Sequence, residues 1–441
     1  SVLFTILIVL TILMQLSMPL LVATIVAPGF RADPEKFELT VGLALIMFPY
    51  LMCMSLVAMM AGILNSLRRY FAAAIVPIFL NIILVGVLLH AWWQGQDGRE
   101  VGYALAWGVL VSGLVQLGIL WMAVRRAGIR IGFRRPRLTP KVKRLLWLAL
   151  PAAVTGGITQ INTLVGTAIA SMEAAAVSSL AMADRIYQLP LGVVGIAVAI
   201  VLLPELSRAL KAGDDGEASS LQNRSVEFSL FLTLPAAIAL FVIAEPIIRV
   251  LYERGAFAAM NATPTVSAIL AIFGLGLPAF VLIQALRPGF FAREDTRTPM
   301  IFAAVSAGTN ITLALLLLPR LGAPGIAVAS VVAGWINVIL LFTTLLRRGH
   351  WHWDTVVKRR LPRLLAAAVL MGIALWFAMG WLSPWLQPDS GLLAQAGALA
   401  LLCAGGATVY FALAFALGGA DLATLKRSLR RKNGATPTLN D

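Results

Sequence analysis

Twelve stretches of this chain run for about twenty residues or more with scarcely a charged side chain, separated by short turns rich in Arg, Gly and Pro. About twenty apolar residues wound as a helix cross the hydrocarbon core of a bilayer. Inside that core a backbone N–H or C=O has no water to bind, so each stretch must satisfy its own hydrogen bonds as a helix. The pattern predicts an all-α polytopic membrane protein. The helices are placed at residues 1–26, 38–64, 71–93, 102–124, 145–170, 174–203, 225–251, 263–291, 299–318, 324–346, 361–386 and 391–418. Composition agrees: 60% of the 441 residues are hydrophobic and 12% are charged, against nearly half apolar and about a quarter charged in soluble domains.

A net charge of +15 raises nucleic acid as a partner, but the placement of the charges argues against it. Of the 35 Lys and Arg, 27 lie in alternate loops and the C-terminal tail, six lie in the loops between, and Arg185 and Arg287 lie inside helices. Cytoplasmic loops of membrane proteins collect Lys and Arg. The basic loops and the C-terminus are therefore expected to be cytoplasmic, and no nucleic-acid partner is expected. The tail "DLATLKRSLRRK" reads in two ways: a helix laid on anionic membrane lipids through Leu422, Leu425 and Leu429, or a solvated basic tail that only fixes topology.

Two helix pairs resemble each other. One reads "FPYLMCMSLVAMMAGILNSLRRYFAAAIVPIFLNI" and the other "LPAFVLIQALRPGFFAREDTRTPMIFAAVSAGTNI". Each has a Pro, a Gly near a basic turn, and an Asn-Ile in the next helix. Both run the same way through the membrane, which makes the repeat parallel. Helices 145–170 and 174–203 then lack counterparts in the first copy. The expected fold is two parallel-repeat six-helix lobes plus two C-terminal helices, with 12 of 14 helices present and the first two missing ahead of Ser1. The expected divisions are an N-lobe remainder at 1–124, a basic linker at 125–144, a C-lobe at 145–346, two extra helices at 361–418 and a basic tail at 419–441. Lobes so related commonly enclose a cavity and alternate its access across the membrane.

The segment "AMADRIYQLPLG" (181–192) puts two charges inside an apolar helix. An Asp or Arg at the centre of a span costs about 2.5–3.5 kcal/mol on insertion scales, so such residues face a cavity or a partner. Gln188 shares a helix side with Asp184 and Arg185. Pro190 removes a backbone bond just beyond them, and with Gly192 it makes a hinge. The functional reading is a substrate site with Arg185 on an oxyanion; the structural one is an Asp184–Arg185 pair that locks helices together. Gln160, Thr163 and Thr167, at i, i+3 and i+7 with Asn162 beside them, form a polar stripe that lines the same cavity or bonds neighbouring helices. Arg287 either snorkels to the cytoplasmic surface or receives an anionic head group. Asp295, in the turn "AREDTRTP", reads as a helix cap.

Sequence features for covalent chemistry are missing. The chain has no Walker A motif, no nucleophile–His–acid set and no metal-ligand spacing, so no enzyme activity, cofactor or metal is expected. Cys53 and Cys403 lie in apolar segments and read as small hydrophobes.

The motifs "VAPGF" (26–30), "ADRIYQLPLGVVGIAVAIVLLPELSR" (183–208) and "LRPGFFAREDTRTP" (286–299) resemble the MurJ/MviN lipid II flippases of the MOP exporter superfamily. The resemblance implies a bacterial inner-membrane protein that moves an undecaprenyl-pyrophosphate-linked peptidoglycan precursor from the inner to the outer leaflet for cell-wall synthesis. It implies a cationic cavity in which the family's "ADR" arginine matches Arg185, and a groove for the lipid tail on the last two helices. Partners implied are lipid II, membrane lipids and cell-wall synthesis enzymes. Competing expectations are a flippase for another polyprenyl-linked oligosaccharide, a cation-coupled drug exporter, and a non-transporting scaffold for cell-wall enzymes.

Overall fold

The computed structural model describes residues 2–96, 98–129, 132, 140, 144, 160 and 163–419. Most of the helix expected at 145–170, the basic stretch 133–139 and the tail 420–441 lie outside the described residues. Every regular element among the described residues is helical. Among them, nine helices are long and apolar enough to cross a membrane, or ten if Val2–Leu16 and Met18–Val26, which meet at a 67° bend, form one span.

By contacts the chain divides into two compact units, Ser1–Met172 and Glu173–Asp441. The first contains α1 (Val2–Leu16), α2 (Pro34–Met47), α3 (Pro49–Ser66), α4 (Tyr70–Gln94) and α5 (Gly98–Arg126). Helices α2, α3 and α4 pack on α5, where Val57, Met60, Leu64, Val76, Leu120 and Val124 form a buried cluster. The second contains α6 (Ala176–Leu191), α7 (Ala197–Lys211), α8 (Asp215–Val242), α9 (Ala244–Tyr252), α10 (Gly255–Ala259), α11 (Thr263–Leu286), α12 (Arg297–Leu321), α13 (Ala323–Arg347), α14 (Thr355–Leu382) and α15 (Leu392–Ala416).

The span expected at 38–64 is one candidate span, Pro34–Ser66, interrupted at Phe48 because Pro49 has no N–H and opens a new first turn. Other boundaries differ from the sequence reading. The span expected at 225–251 begins ten residues earlier and ends at Val242. Its start is set by Asp214, whose carboxylate accepts the Glu217 N–H at 2.8 Å, with Asp215 and Glu217 in the first turn, where acids suit the helix dipole. Beyond it α9 is a separate amphipathic helix that buries Ile247 and Ile248 while Arg249 pairs with Glu245 at 2.5 Å and Glu253 at 2.9 Å. Arg208, Lys211 and Arg224 lie on α7 and α8 rather than in a loop.

The repeat has a backbone counterpart. After α3, Arg68 takes a left-handed φ of 59° and Arg69 N–H donates to Leu64 O at 2.9 Å; before α12, Glu294 takes φ 62° and Asp295 N–H donates to Phe290 O at 3.1 Å. Each is a helix end closed by one left-handed residue and a bond to the fifth residue before it. In the second copy Asp295 also accepts the Thr298 N–H at 3.0 Å and hydroxyl at 2.6 Å and pairs with Arg348 at 2.6 Å. These bonds, the Thr298 hydroxyl first, hold its carboxyl down at about 2.

Helix α11 is the axis of the second unit, packed by α6, α8 and α13. Small residues allow the approach. A Cβ on Gly274 would stand 2.9 Å from Leu240 Cβ and 3.0 Å from Ala237 O. The Phe280 ring fits between Gly276 and Gly334, where a Cβ on either glycine would come within 2.8 Å of it.

Helices α14 and α15 attach to this body through α8. Pro235, inside α8, lacks the N–H that would bond the carbonyl four residues back. That carbonyl belongs to Phe231, and the Tyr410 hydroxyl of α15 donates to it at 2.7 Å. Tyr410 is fully buried. In hydrocarbon a freed carbonyl needs such a partner. Arg360 of α14 adds a pair to Glu227 of α8 at 2.8 Å. Tyr410→Phe is expected to lower the unfolding free energy by about 0.6–2 kcal/mol. The same change on a Pro235→Ala background should cost much less, since alanine at that position restores the missing N–H. Thermal unfolding of the four proteins in detergent checks this; an equal cost on both backgrounds would remove the carbonyl account.

Candidate functional site

Helix α6 has two faces. Ala176, Ser179, Ala183 and Ile186, at spacings of three and four, are buried where α6 packs on α11. Ser178, Ala181, Arg185 and Gln188 make the opposite, exposed stripe. Tyr187 lies between the faces, its ring 4.9 Å from Phe273 and 5.7 Å from Phe280, and this aromatic contact fixes the rotation of α6 on α11.

The charges do not pair with each other. The Gln188 amide donates to the Asp184 carboxylate, as the i, i+4 spacing permits. The ion pairs among the described residues include neither Asp184 nor Arg185. Asp184 is half-buried and held by its own helix, while Arg185 projects exposed from the face that the other helices of this unit leave uncovered. A guanidinium in that state offers a planar fork of donors to an oxyanion.

Below this cluster the helix changes pitch. Pro190 removes the bond to Ile186 O, and Gly192–Ile196 is a π-helical turn that leads into α7. Such turns lengthen one loop of the hydrogen-bond ladder and recur at functional sites. The turn runs against α11, where a Cβ on Gly195 would lie 3.6 Å from Gln284 Cγ.

Arg287 stands three residues beyond Gln284, at the joint between α11 and the turn Pro288–Phe291. It is half-buried between the buried residues Leu286 and Pro288, and it forms no ion pair among the described residues. Gln160 and Thr163 are exposed residues of the first unit, and Thr163 O accepts the Thr167 hydroxyl at 3.0 Å. Asn162 lies outside the described residues. The structure thus brings Asp184, Arg185 and Gln188 together on one unit, with Pro190 and Gly192 directly below them.

Two apolar cavities accompany these groups. One, of about 250 Å3, lies between α8, α14 and α15 and is lined by Leu232, Pro235, Met371, Leu402, Gly406 and Tyr410 among others. The family resemblance implied a groove on the last two helices; this cavity also takes residues of α8 as a wall, for which the sequence held no signal. The other, of about 420 Å3, lies in the first unit around Leu56, Met60 and Trp121 and has no charged side chain among its lining residues.

The family model described as lipid II flippase MurJ matches residues 1–390. This chain belongs to the MurJ family. A protein of Rhizobium meliloti (strain 1021) named "Probable lipid II flippase MurJ" is 63% identical over 436 residues, which cover 99% of this chain and 81% of the relative. Among solved structures, "Lipid II flippase MurJ, inward closed conformation" superposes with a TM-score of 0.73 at 22% identity, over 93% of this chain and 80% of that one. An inward-facing multidrug transporter of the MATE family, in the MOP superfamily, superposes with a TM-score of 0.65 at 13% identity, over 78% and 79%. The last two likenesses concern the fold alone.

Because Arg185 is exposed and forms no ion pair among the described residues, its truncation should leave folding almost untouched. Arg185→Ala is expected to change the unfolding free energy by no more than about 0.5 kcal/mol. Thermal unfolding of the purified protein measures this, and a loss of several degrees would make Arg185 a structural tie.

Proposed function

We propose that this protein is a lipid II flippase that moves the undecaprenyl-pyrophosphate-linked peptidoglycan precursor from the inner to the outer leaflet of a bacterial inner membrane, with its basic loops and C-terminus in the cytoplasm. The observation that carries the reading is Arg185: a cation on α6, in the apolar stretch 174–203 that the sequence reads as a membrane helix, exposed and in no ion pair among the described residues, in a chain of the MurJ family. A pyrophosphate leaving head-group water for a membrane cavity needs a fixed counter-charge. Arg185 supplies it, and because the Gln188 amide engages Asp184, the guanidinium keeps its donors for the ligand.

The lipid tail follows a different route. Every CH2 of a polyprenyl chain taken into water costs about 0.8 kcal/mol, so the tail stays in hydrocarbon while the head group crosses. The apolar groove of α8, α14 and α15 gives it a surface to follow, and Tyr410 keeps that groove assembled. The lobes rock to expose the head group to alternate sides, with Pro190 and Gly192 taking up the bend. Arg287, at the basic-loop end of α11, receives the pyrophosphate first. Gln160, Asn162 and Thr163 bond the polar sugars. This is transport without covalent chemistry.

The test is complementation. A host depleted of its own flippase receives the complete reading frame as wild type, Arg185→Ala or Arg185→Lys, at matched membrane levels. Wild type should restore growth and outer-leaflet precursor, and Arg185→Ala should fail. Arg185→Lys, which keeps charge but loses the bidentate fork, should rescue only in part. Full rescue by Arg185→Ala would fit a scaffold and would sink the cationic-site assignment.

A further inference from the structure

At the end of the second unit opposite the basic loops, a cavity of about 410 Å3 opens between the starts of α6 and α11 and the short helix α10. Its polar lining is Glu173, Ser178, Ser179, Asn261 and Thr265, and Phe257 and Met182 are among its apolar walls. Tyr252 ties the α10 side to α6: its hydroxyl donates to Met182 O at 3.5 Å and its ring lies 5.9 Å from that of Phe257.

Glu173 lies in the turn before α6, half-buried. It is anchored from one side, where the Ala323 N–H at the start of α13 donates to its carboxylate. Gly322 makes room for this: its φ is +64°, and a Cβ there would stand 2.7 Å from Glu173 Oε1. The second oxygen, Oε2, is buried with no hydrogen-bond partner among the described residues. The ion pairs among the described residues do not include Glu173, and burial pushes its carboxyl up.

Glu173 is the one charged side chain among the cavity's lining residues, and with no ion-pair partner among the described residues it calls for a cationic ligand. An anion would be repelled, and an apolar tail would leave the carboxylate without a counter-charge. Phe257 offers an aromatic ring to the same cation, while Ser178, Asn261 and Thr265 offer neutral donors and acceptors to the rest of a polar ligand. Ser178 and Met182 lie on α6 in the i, i+4, i+7 series that continues to Arg185. About 10 Å of helix separates Ser178 from Arg185, so one strip carries a carboxylate-lined cavity at one end and a free guanidinium further along.

We propose that this cavity binds a primary ammonium group on a peptide-like ligand, with Glu173 as its counter-ion. The reading as a peptidoglycan-precursor flippase identifies the source as an amine on the precursor's peptide stem, and the proposal rests on that reading for the source alone. A free diamine from the outer compartment shares the chemistry and is distinguished below.

The experiment uses the complete protein in nanodiscs and measures binding of the soluble peptide Ala-Glu-Lys-Ala-Ala, its Nε-acetyl-Lys form, and cadaverine. Wild type should bind the lysine peptide about tenfold more tightly than the acetylated one. Glu173→Gln keeps a carbonyl oxygen for the Ala323 N–H, should show an unchanged unfolding midpoint, and should lose the preference. Ala256→Trp, which fills the cavity from the α10 side, should weaken the lysine peptide while leaving Glu173 in place. Equal binding of the two peptides by wild type, or a preference that survives in Glu173→Gln, would overturn the site. Tight cadaverine binding without peptide binding would overturn the stem as source. Binding is read without transport, so the outcome stands apart from complementation by Arg185 variants.

Discussion

A guanidinium placed inside a membrane helix must have a reason to be there, because its insertion costs more than most single contacts return. Here the reason is not a neighbouring acid. Asp184 is the next residue, yet its carboxylate is taken by the Gln188 amide, and Arg185 projects from the face opposite the one that packs on α11. The arrangement leaves the guanidinium exposed and without an ion-pair partner among the described residues. The rest of the second unit serves this placement. The small residues of α11 let α8 and α13 close around it, and the Tyr187–Phe273 contact sets the rotation of α6.

The second constraint is the backbone. Membrane helices with proline must find substitutes for lost bonds, and this chain uses two different ones. Beyond Pro190 the ladder shifts to a π-helical turn at Gly192–Ile196. At Pro235 a side chain from another helix fills the gap, with Tyr410 bonding Phe231 O. The first leaves a deformable joint beneath the charged cluster. The second fastens α15 onto α8 and gives the apolar groove its floor. A soluble protein could leave either carbonyl to water.

Much of this was legible in the amino-acid order. Apolar run lengths fixed the helical class, because hydrocarbon permits few alternatives, and the two adjacent charges Asp184 and Arg185 in an apolar stretch marked the candidate site. Helix ends were harder to place. Hydropathy marks where a chain enters lipid, whereas a helix ends at a cap or a proline, so α8 starts at Asp215, ten residues before its apolar run. Glu173 was missed because one acid in a turn looks like any helix cap; only the fold reveals a cavity beside it and a carboxylate oxygen without a partner among the described residues. Tyr410 was missed because its partner carbonyl lies 179 residues away.

The central claim is that Arg185 is a free counter-charge for a pyrophosphate. Its most direct test is equilibrium binding of lipid II and of undecaprenol, which lacks the pyrophosphate, to the complete protein in nanodiscs. Wild type is predicted to prefer lipid II strongly, and Arg185→Ala to lose at least about tenfold of that preference, the scale of a charge-assisted bidentate contact. An unchanged preference in Arg185→Ala would contradict the claim and would place the pyrophosphate elsewhere.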